Sequence, residues 1–233
     1  SLESNILDTK ELTANNTENI SKDDSSHSRG EILPPSCLLS IILTVKGNMK
    51  EIYRSVQSIL RNIPLQGVEL ILVDIGSSDD AREYIKQLRH EHTTAILLDG
   101  KVTPVQGSIT GAGKASGEFL AFLDESVIIT QSWFSCIMNV LKNASDWDAI
   151  VGKTISTGGM IVEAGSTVVN EAELVSRGGG IPFLDPAYNF TCPVVSGSRH
   201  CMIIRRKTWD EMNAFDPDLK SIGAALIDFG LKM

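Results

Sequence analysis

The octet Leu38-Leu39-Ser40-Ile41-Ile42-Leu43-Thr44-Val45 constrains this chain most, because only two hydroxyls interrupt an apolar run rich in β-branched residues. A strand with one face in water alternates polar with apolar side chains. An unbroken run is a strand buried on both faces, the environment that parallel sheets of α/β proteins supply. Asn48 then caps a helical pattern in which Ile52, Val56, Ile59 and Leu60 recur along one face. The alternation repeats. Val68 to Val73 reads as a second buried strand ending at Asp74, Ser77-Ser78-Asp79-Asp80 as a helix start, and Ala81 to His90 as its helix. Thr93 to Leu98 and Phe119 to Leu123 read as further strands, Trp133 to Leu141 as a helix and Trp147 to Val151 as another strand. Strand–helix alternation of this kind predicts an α/β fold: a Rossmann-like, mostly parallel sheet flanked by helices.

The second half has a different texture. Met160 to Val169 has β character, Arg177 to Pro186 is a Gly- and Pro-rich loop, and Val194 to Arg205 holds a strand interrupted at Ser196-Gly197. Thr208 to Ala214 forms a short helix before Phe215-Asp216-Pro217-Asp218, and Ala224 to Met233 is a last apolar helix in which the chain stops. This predicts a smaller mixed β region. Residues 1–35 are polar, poor in aromatics and closed by Pro34-Pro35, so they read as a linker with at most a short helix around Ile6 to Leu12. The expected organisation is a linker (1–35) and one domain (36–233), with a nucleotide-binding half (36–145) and an acceptor-side half (146–233). Starting on Ser1 without Met and stopping inside a helix, the chain reads as an excised piece of something longer.

Charge and cysteine usage exclude several functions. Twenty-one basic residues face 29 acidic ones, giving a net charge of -8, so a phosphate backbone finds no basic surface and nucleic acid is not an expected partner. Cys37, Cys136, Cys192 and Cys201 are too scattered for a zinc site or disulfide scaffold. They read as buried thiols in a reducing, cytoplasmic compartment. No apolar run approaches membrane-spanning length, and the sequons at Asn15, Asn143 and Asn189 carry meaning only in a secreted chain.

Two strand ends offer chemistry. Phe119-Leu120-Ala121-Phe122-Leu123 runs into Asp124-Glu125-Ser126, which puts two adjacent acids at the carboxyl end of a buried strand, where open α/β sheets bind ligands. Mg²⁺ or Mn²⁺ held by one or two carboxylates plus substrate phosphates suits such a tip, and a solvated, helix-capping strand end is the structural alternative. Val73-Asp74-Ile75-Gly76-Ser77-Ser78-Asp79 is either a base- or ribose-binding turn or a helix cap. Gly107 to Gly117 lacks the spacing of a phosphate loop and reads as a flexible connection into the fourth strand, in a Gly-rich segment with room for a short helix, from which Lys114 could reach a diphosphate. His90 and His92 read as solvated. His200, beside Ser196-Gly197-Ser198, is either a pocket residue or a satisfied core histidine, and Trp133, Trp147 and Trp209 are expected in the core.

Taken in order, several of these stretches resemble one family. Ser40 to Lys46, Ser55 to Leu60, Val73 to Asp79, Ala115 to Asp124, Val195-Ser196-Gly197, Ile203 to Arg206 and Ala214-Phe215-Asp216 are similar to the family 2 glycosyltransferases of the GT-A fold. The resemblance implies a GT-A-like domain, transfer of a sugar (hexosyl type) from a nucleotide-diphosphate donor to a glycan or lipid-linked acceptor, and a setting such as polysaccharide biosynthesis. Peripheral membrane association would then come through the parent protein. It puts Thr44, Lys46, Asp74, Gly76, Ser77, Lys114, Ser196 and Gly197 at the nucleotide sugar, Asp124 and Glu125 at a divalent metal (Mn or Mg), and Asp228 or Asp216 at the acceptor as base. Departures accompany it. Ile75 replaces a second acid, Ser126 stands where the metal motif usually has its second Asp, an Arg-Asn pair is missing near Ser108 to Thr110, and Ala225-Leu226 occupy the base region. They imply an alternative, a catalytically degenerate transferase fold kept as a binding or scaffolding module.

Overall fold

The computed structural model describes residues 37–64, 66–143, 147–169 and 173–233. The polar segment with its expected helix at Ile6 to Leu12, the sequon at Asn15 and His27 lies outside the described residues, as does the side chain of Asn143. The N-terminal half alternates as the pattern predicts: β1 (Leu39–Val45), α1 (Met49–Asn62), β2 (Val68–Asp74), α2 (Asp79–Gln87), β3 (Thr93–Leu97), α3 (Pro104–Ala112), β4 (Phe119–Asp124) and α4 (Gln131–Asn143). The second half adds β5 (Ala149–Val151), two small hairpins, β6 (Thr154–Ile155) with β7 (Ile161–Glu163) and β8 (Ser166–Val169) with β9 (Glu173–Ser176), then β10 (Cys201–Arg205), α5 (Arg206–Glu211) and α6 (Ile222–Lys232). The hairpins are the mixed β region.

The main sheet runs β3-β2-β1-β4-β10-β5. β1, β2, β3 and β4 pair in parallel, whereas β10 is antiparallel to both β4 and β5. One reversed strand has a consequence for function: the amino end of β10 lies beside the carboxyl end of β4, with Cys201 opposite Leu123. Ser198, Arg199 and His200 are thereby delivered to the edge where the parallel strands end.

Alternate residues of the buried strands feed two large cores and a small third one of Ile71, Val73 and Ile75. Leu39, Ile41, Leu43 and Val45 pack with α1, α2 and α4 on one face. Ile42, Leu120, Phe122, Met202 and Ile204 pack with α3, α5 and α6 on the other. Trp209 is buried, and Trp133 and Trp147 are partly buried against the first core.

The Gly-rich segment holds a short helix. Thr103 and Gln106 form a reciprocal capping box, Pro104 opens the first turn, and α3 follows. Its glycines let the helix lie close on the sheet. A Cβ on Gly107 would stand 2.8 Å from Ile75 Cγ2, and one on Gly111 2.6 Å from Ile42 Cγ2. The cysteines also depart from expectation. Only Cys201 is buried, where loss of solvent pushes its thiol up to about 11. Cys136 is exposed, and Cys37 and Cys192 are half-buried. His90 and His92 are exposed, as expected.

Candidate functional site: a cleft at the carboxyl edge of the sheet

Above the ends of β1, β2 and β4 lies a cleft of about 290 Å³. Thr44, Ile75, Pro104 and Ser108 line it, as do Lys46, Asp124, Glu125, Arg199 and Ser221. β1 delivers Thr44 and Lys46, β4 delivers the acids, α3 delivers Ser108, and the start of α6 delivers Ser221. The Thr44 and Ser108 hydroxyls lie 3.4 Å apart. Ile75, only 3% exposed, makes an apolar floor wedged against α3. Two cations, Lys46 and Arg199, therefore share the cleft with two carboxylates.

The acids differ in environment. Asp124 Oδ1 accepts from the Ser126 backbone N–H at 2.9 Å and from its hydroxyl at 2.5 Å, while Oδ2 has no hydrogen bond among the described residues. Ser126 thus closes a turn where a second metal-binding acid would otherwise point. Glu125 is pushed above the usual carboxylate range, first by burial and then by the neighbouring Asp124 charge. A folded carboxyl that holds its proton more tightly than the unfolded one loses stability as pH rises above the ordinary value, and the loss is complete above the raised value. Glu125→Gln is therefore expected to raise stability at about pH 7 and to give no such gain at about pH 3.5, below the ordinary glutamate value. Urea unfolding at both pH values checks the sign.

The metal expectation can be tested on the donor set. Among the described residues no cluster of three or more His, Cys, Asp or Glu could hold a metal ion. What remains is one unbonded oxygen of Asp124, with Glu125 beside it. This fits a hard cation that arrives with phosphate ligands of its own, not a cage built by the protein.

Several residues expected at the site stand elsewhere. Asp74 is fully buried. Its Oδ1 accepts from the amides of Gly76 (3.3 Å) and Ser77 (2.9 Å), and its Oδ2 meets Arg82 Nη1 at 3.0 Å, so its carboxylate is consumed by the turn. Gly76 and Ser77 form that turn and do not line the cleft. Lys114 is exposed at the opposite edge of the sheet, just before Gly117, whose N–H donates to the Ser40 hydroxyl. The seven residues of β1 put it about 20 Å from the cleft. Ser196 and Gly197 are buried and do not line the cleft, and a Cβ at 197 would strike Met202 and crowd Leu226. Asp216 accepts from the Asp218 amide at 2.9 Å, and Asp228 pairs with Lys232 at 2.5 Å. Neither lines the cleft. His200 is the satisfied histidine: 8% exposed, with Nδ1 2.9 Å from Glu163 Oε2.

Comparison with known proteins bears on this arrangement. The family model described as glycosyl transferase family 2 matches residues 40–210. Glycosyltransferase GlyG of Streptococcus pneumoniae serotype 4 is 24% identical over 117 residues, which cover 49% of this chain and 38% of that protein. Among solved structures, S. aureus TarS 1-349 in complex with UDP-GlcNAc superposes with a TM-score of 0.59 at 17% identity, over 84% of this chain and 52% of that one. The mannosyltransferase PcManGT from Pyrobaculum calidifontis, in complex with GDP-Man and Mn²⁺, gives 0.56 at 10% identity, over 82% and 51%. GalNAc-T7 with UDP, GalNAc and Mn²⁺ gives 0.59 at 17% identity, over 83% and 40%. These structures share the GT-A fold, and the chain spans about half or less of each relative. Among the described residues no helix is long and apolar enough to cross a membrane.

Proposed function

Because this chain belongs to glycosyl transferase family 2, we propose that it binds a nucleotide-diphosphate sugar in the carboxyl-edge cleft and transfers the sugar to a hydroxyl of a glycan or lipid-linked acceptor. One observation carries the reading: Thr44, Lys46, Asp124, Glu125 and Arg199 converge on one cleft at the ends of parallel strands. That is where α/β sheets bind nucleotides. The apolar and hydroxyl end, Thr44, Ile75, Pro104 and Ser108, suits the nucleoside, and the charged end, Lys46, Asp124 and Arg199, suits the diphosphate. Residues 36–145 then act as the donor half and 146–233 as the acceptor-side half. All four cysteines are free thiols, in keeping with a cytoplasmic setting.

In the reaction the acceptor oxygen attacks the anomeric carbon, the bond to the diphosphate breaks, and the diphosphate leaves with the electron pair while the acceptor proton passes to a base. Lys46 and Arg199 stabilise the charge growing on the leaving group. A divalent cation, when bound, would add Lewis-acid neutralisation of that charge, and Asp124 through Oδ2 is the residue that would hold it, with Glu125 beside it.

Calorimetric titration with UDP, GDP and dTDP, each with and without Mn²⁺, tests the donor site. One of the three is expected to bind. Absence of heat and of any thermal shift with all three would remove the reading.

A second reading is a donor-binding module without transfer. It is favoured by Ala225 and Leu226, which occupy the base region and are 0% and 2% exposed inside the second core. A bound nucleotide sugar that never releases its diphosphate, with water or with a panel of glycan acceptors, would support it. Steady release would eliminate it.

A further inference from the structure

Arg199 is held by a buried hydrogen-bonded relay that no strand-end motif explains. Ser198, 1% exposed, donates through its hydroxyl to Glu163 Oε2 at 2.8 Å and accepts from the His200 N–H at 3.1 Å. His200 Nδ1 meets the same Glu163 oxygen at 2.9 Å. Burial alone would raise the Glu163 carboxyl, but hydrogen bonds from His200 and Ser198 outweigh it and hold the group below the usual carboxylate range. An ionised Glu163 can only accept, so the His200 proton sits on Nδ1. Arg199 Nε–H donates to His200 Nε2 at 3.4 Å, which makes that nitrogen the acceptor of the pair.

This chain of bonds spends only the Nε of Arg199. Its two terminal nitrogens have no hydrogen-bond or ion-pair partner among the described residues, and the side chain is exposed and lines the cleft. In the pairing of β10 with β4, Arg199 comes two residues before Cys201 and Glu125 two residues after its partner Leu123, so both reach the charged end. A guanidinium clamped at Nε and open at both Nη groups presents a planar fork matched to phosphate oxygens. Meanwhile the acidic side of the same end is thin. Asp124 has one oxygen committed to Ser126, and no protein cage for a cation exists among the described residues.

We propose that Arg199 is a principal ligand of the donor diphosphate beside Lys46, and that Glu163, Ser198 and His200 are positioning residues that fix the His200 tautomer and so orient the Arg199 guanidinium. The inference rests on the donor-site reading above and adds that a relay outside the cleft lining holds the arginine on which diphosphate binding depends.

The test compares a nucleoside diphosphate with its nucleoside, in EDTA and in Mn²⁺, using whichever of UDP, GDP and dTDP binds best. In EDTA the parent is expected to bind the diphosphate more tightly than the nucleoside. Arg199→Ala should lose about tenfold for the diphosphate while nucleoside affinity stays unchanged, a split that general loosening of the fold would not produce. Arg199→Lys should recover part of the loss. His200→Ala should weaken the diphosphate about threefold in the parent and add nothing in the Arg199→Ala background, since it acts through Arg199. If the parent binds the diphosphate and Arg199→Ala binds it within twofold as well, Arg199 is not the diphosphate ligand and the proposal is overturned while the donor site stands. Additive His200 and Arg199 losses would overturn the positioning role. If the parent binds none of the three nucleotides, the donor-site reading fails and this inference falls with it. Arg199 is exposed, so its alanine variant should fold and keeps the test decisive even where His200→Ala does not.

Discussion

Phe215→Ala is expected to cost about 3–5 kcal/mol, a large share of the roughly 5–15 kcal/mol that holds a domain folded. Phe215 is 1% exposed and is the hub of an aromatic cluster, with ring centroids 4.7 Å from Trp209, 5.3 Å from Phe122 and 5.5 Å from Phe229. Those rings belong to β4, α5 and α6, so the hub clamps the last helix to the sheet. Removing it leaves a cavity that three elements would have to close at once, and the price of incomplete collapse adds to the lost transfer energy. The effect reaches the cleft, because Ser221 and Ile222 at the start of α6 line it. Urea unfolding should show the loss, and nucleotide binding should weaken in parallel. Phe215→Leu keeps most of the volume and should cost much less. A loss below about 1 kcal/mol for the alanine variant would mean that α6 is held by other contacts.

Arg82→Ala is expected to destabilise by about 3 kcal/mol, the lower end for leaving a buried charge without its partner. Arg82 reaches Asp74 at 3.0 Å, the Leu98 carbonyl at 3.2 Å and Asp99 at 2.5 Å. The value sits at the lower end because the Gly76 and Ser77 amides would still bond the Asp74 carboxylate. Arg82→Lys should recover only part, since one ammonium cannot reach all three acceptors. Ile75 follows Asp74 directly and floors the cleft, so donor affinity should fall with stability. Thermal unfolding of the two variants beside the parent measures the difference. An unchanged midpoint in Arg82→Ala would show that the turn amides alone suffice for Asp74.

Much of this architecture was legible because it is written in local periodicity. The largely apolar runs at β1, β2 and β4 are satisfied by burial on both faces, and the core clusters on the two sides of the sheet show that burial. Residues at strand ends were legible for the same reason: Thr44, Lys46, Asp124 and Glu125 do meet in one cleft. The helix α3 was also readable, since Thr103, Pro104 and Gln106 spell a capping box with proline in the first turn. The bonding of Asp74 was not legible, because a carboxylate at a strand end looks the same in sequence whether it faces a ligand or folds back on its own turn. Only the position of Arg82 on α2, eight residues on, separates the two.

The amino-acid sequence by itself determined the α/β class, the parallel strands and the edge at which acids emerge, since each depends on side chains within a few residues of one another. The tertiary structure decided which charges share the cleft. Strand direction is not encoded in an apolar run, and the reversal of β10 alone brings Arg199 from the second half of the chain to the carboxyl end of β4. Lys114 lies at the far edge for a simpler reason, since it precedes β4 and so stands at that strand's amino end. A cation 74 or more residues from the acids it meets (199 against 124 and 125) is set by pairing across the sheet, which no local pattern records.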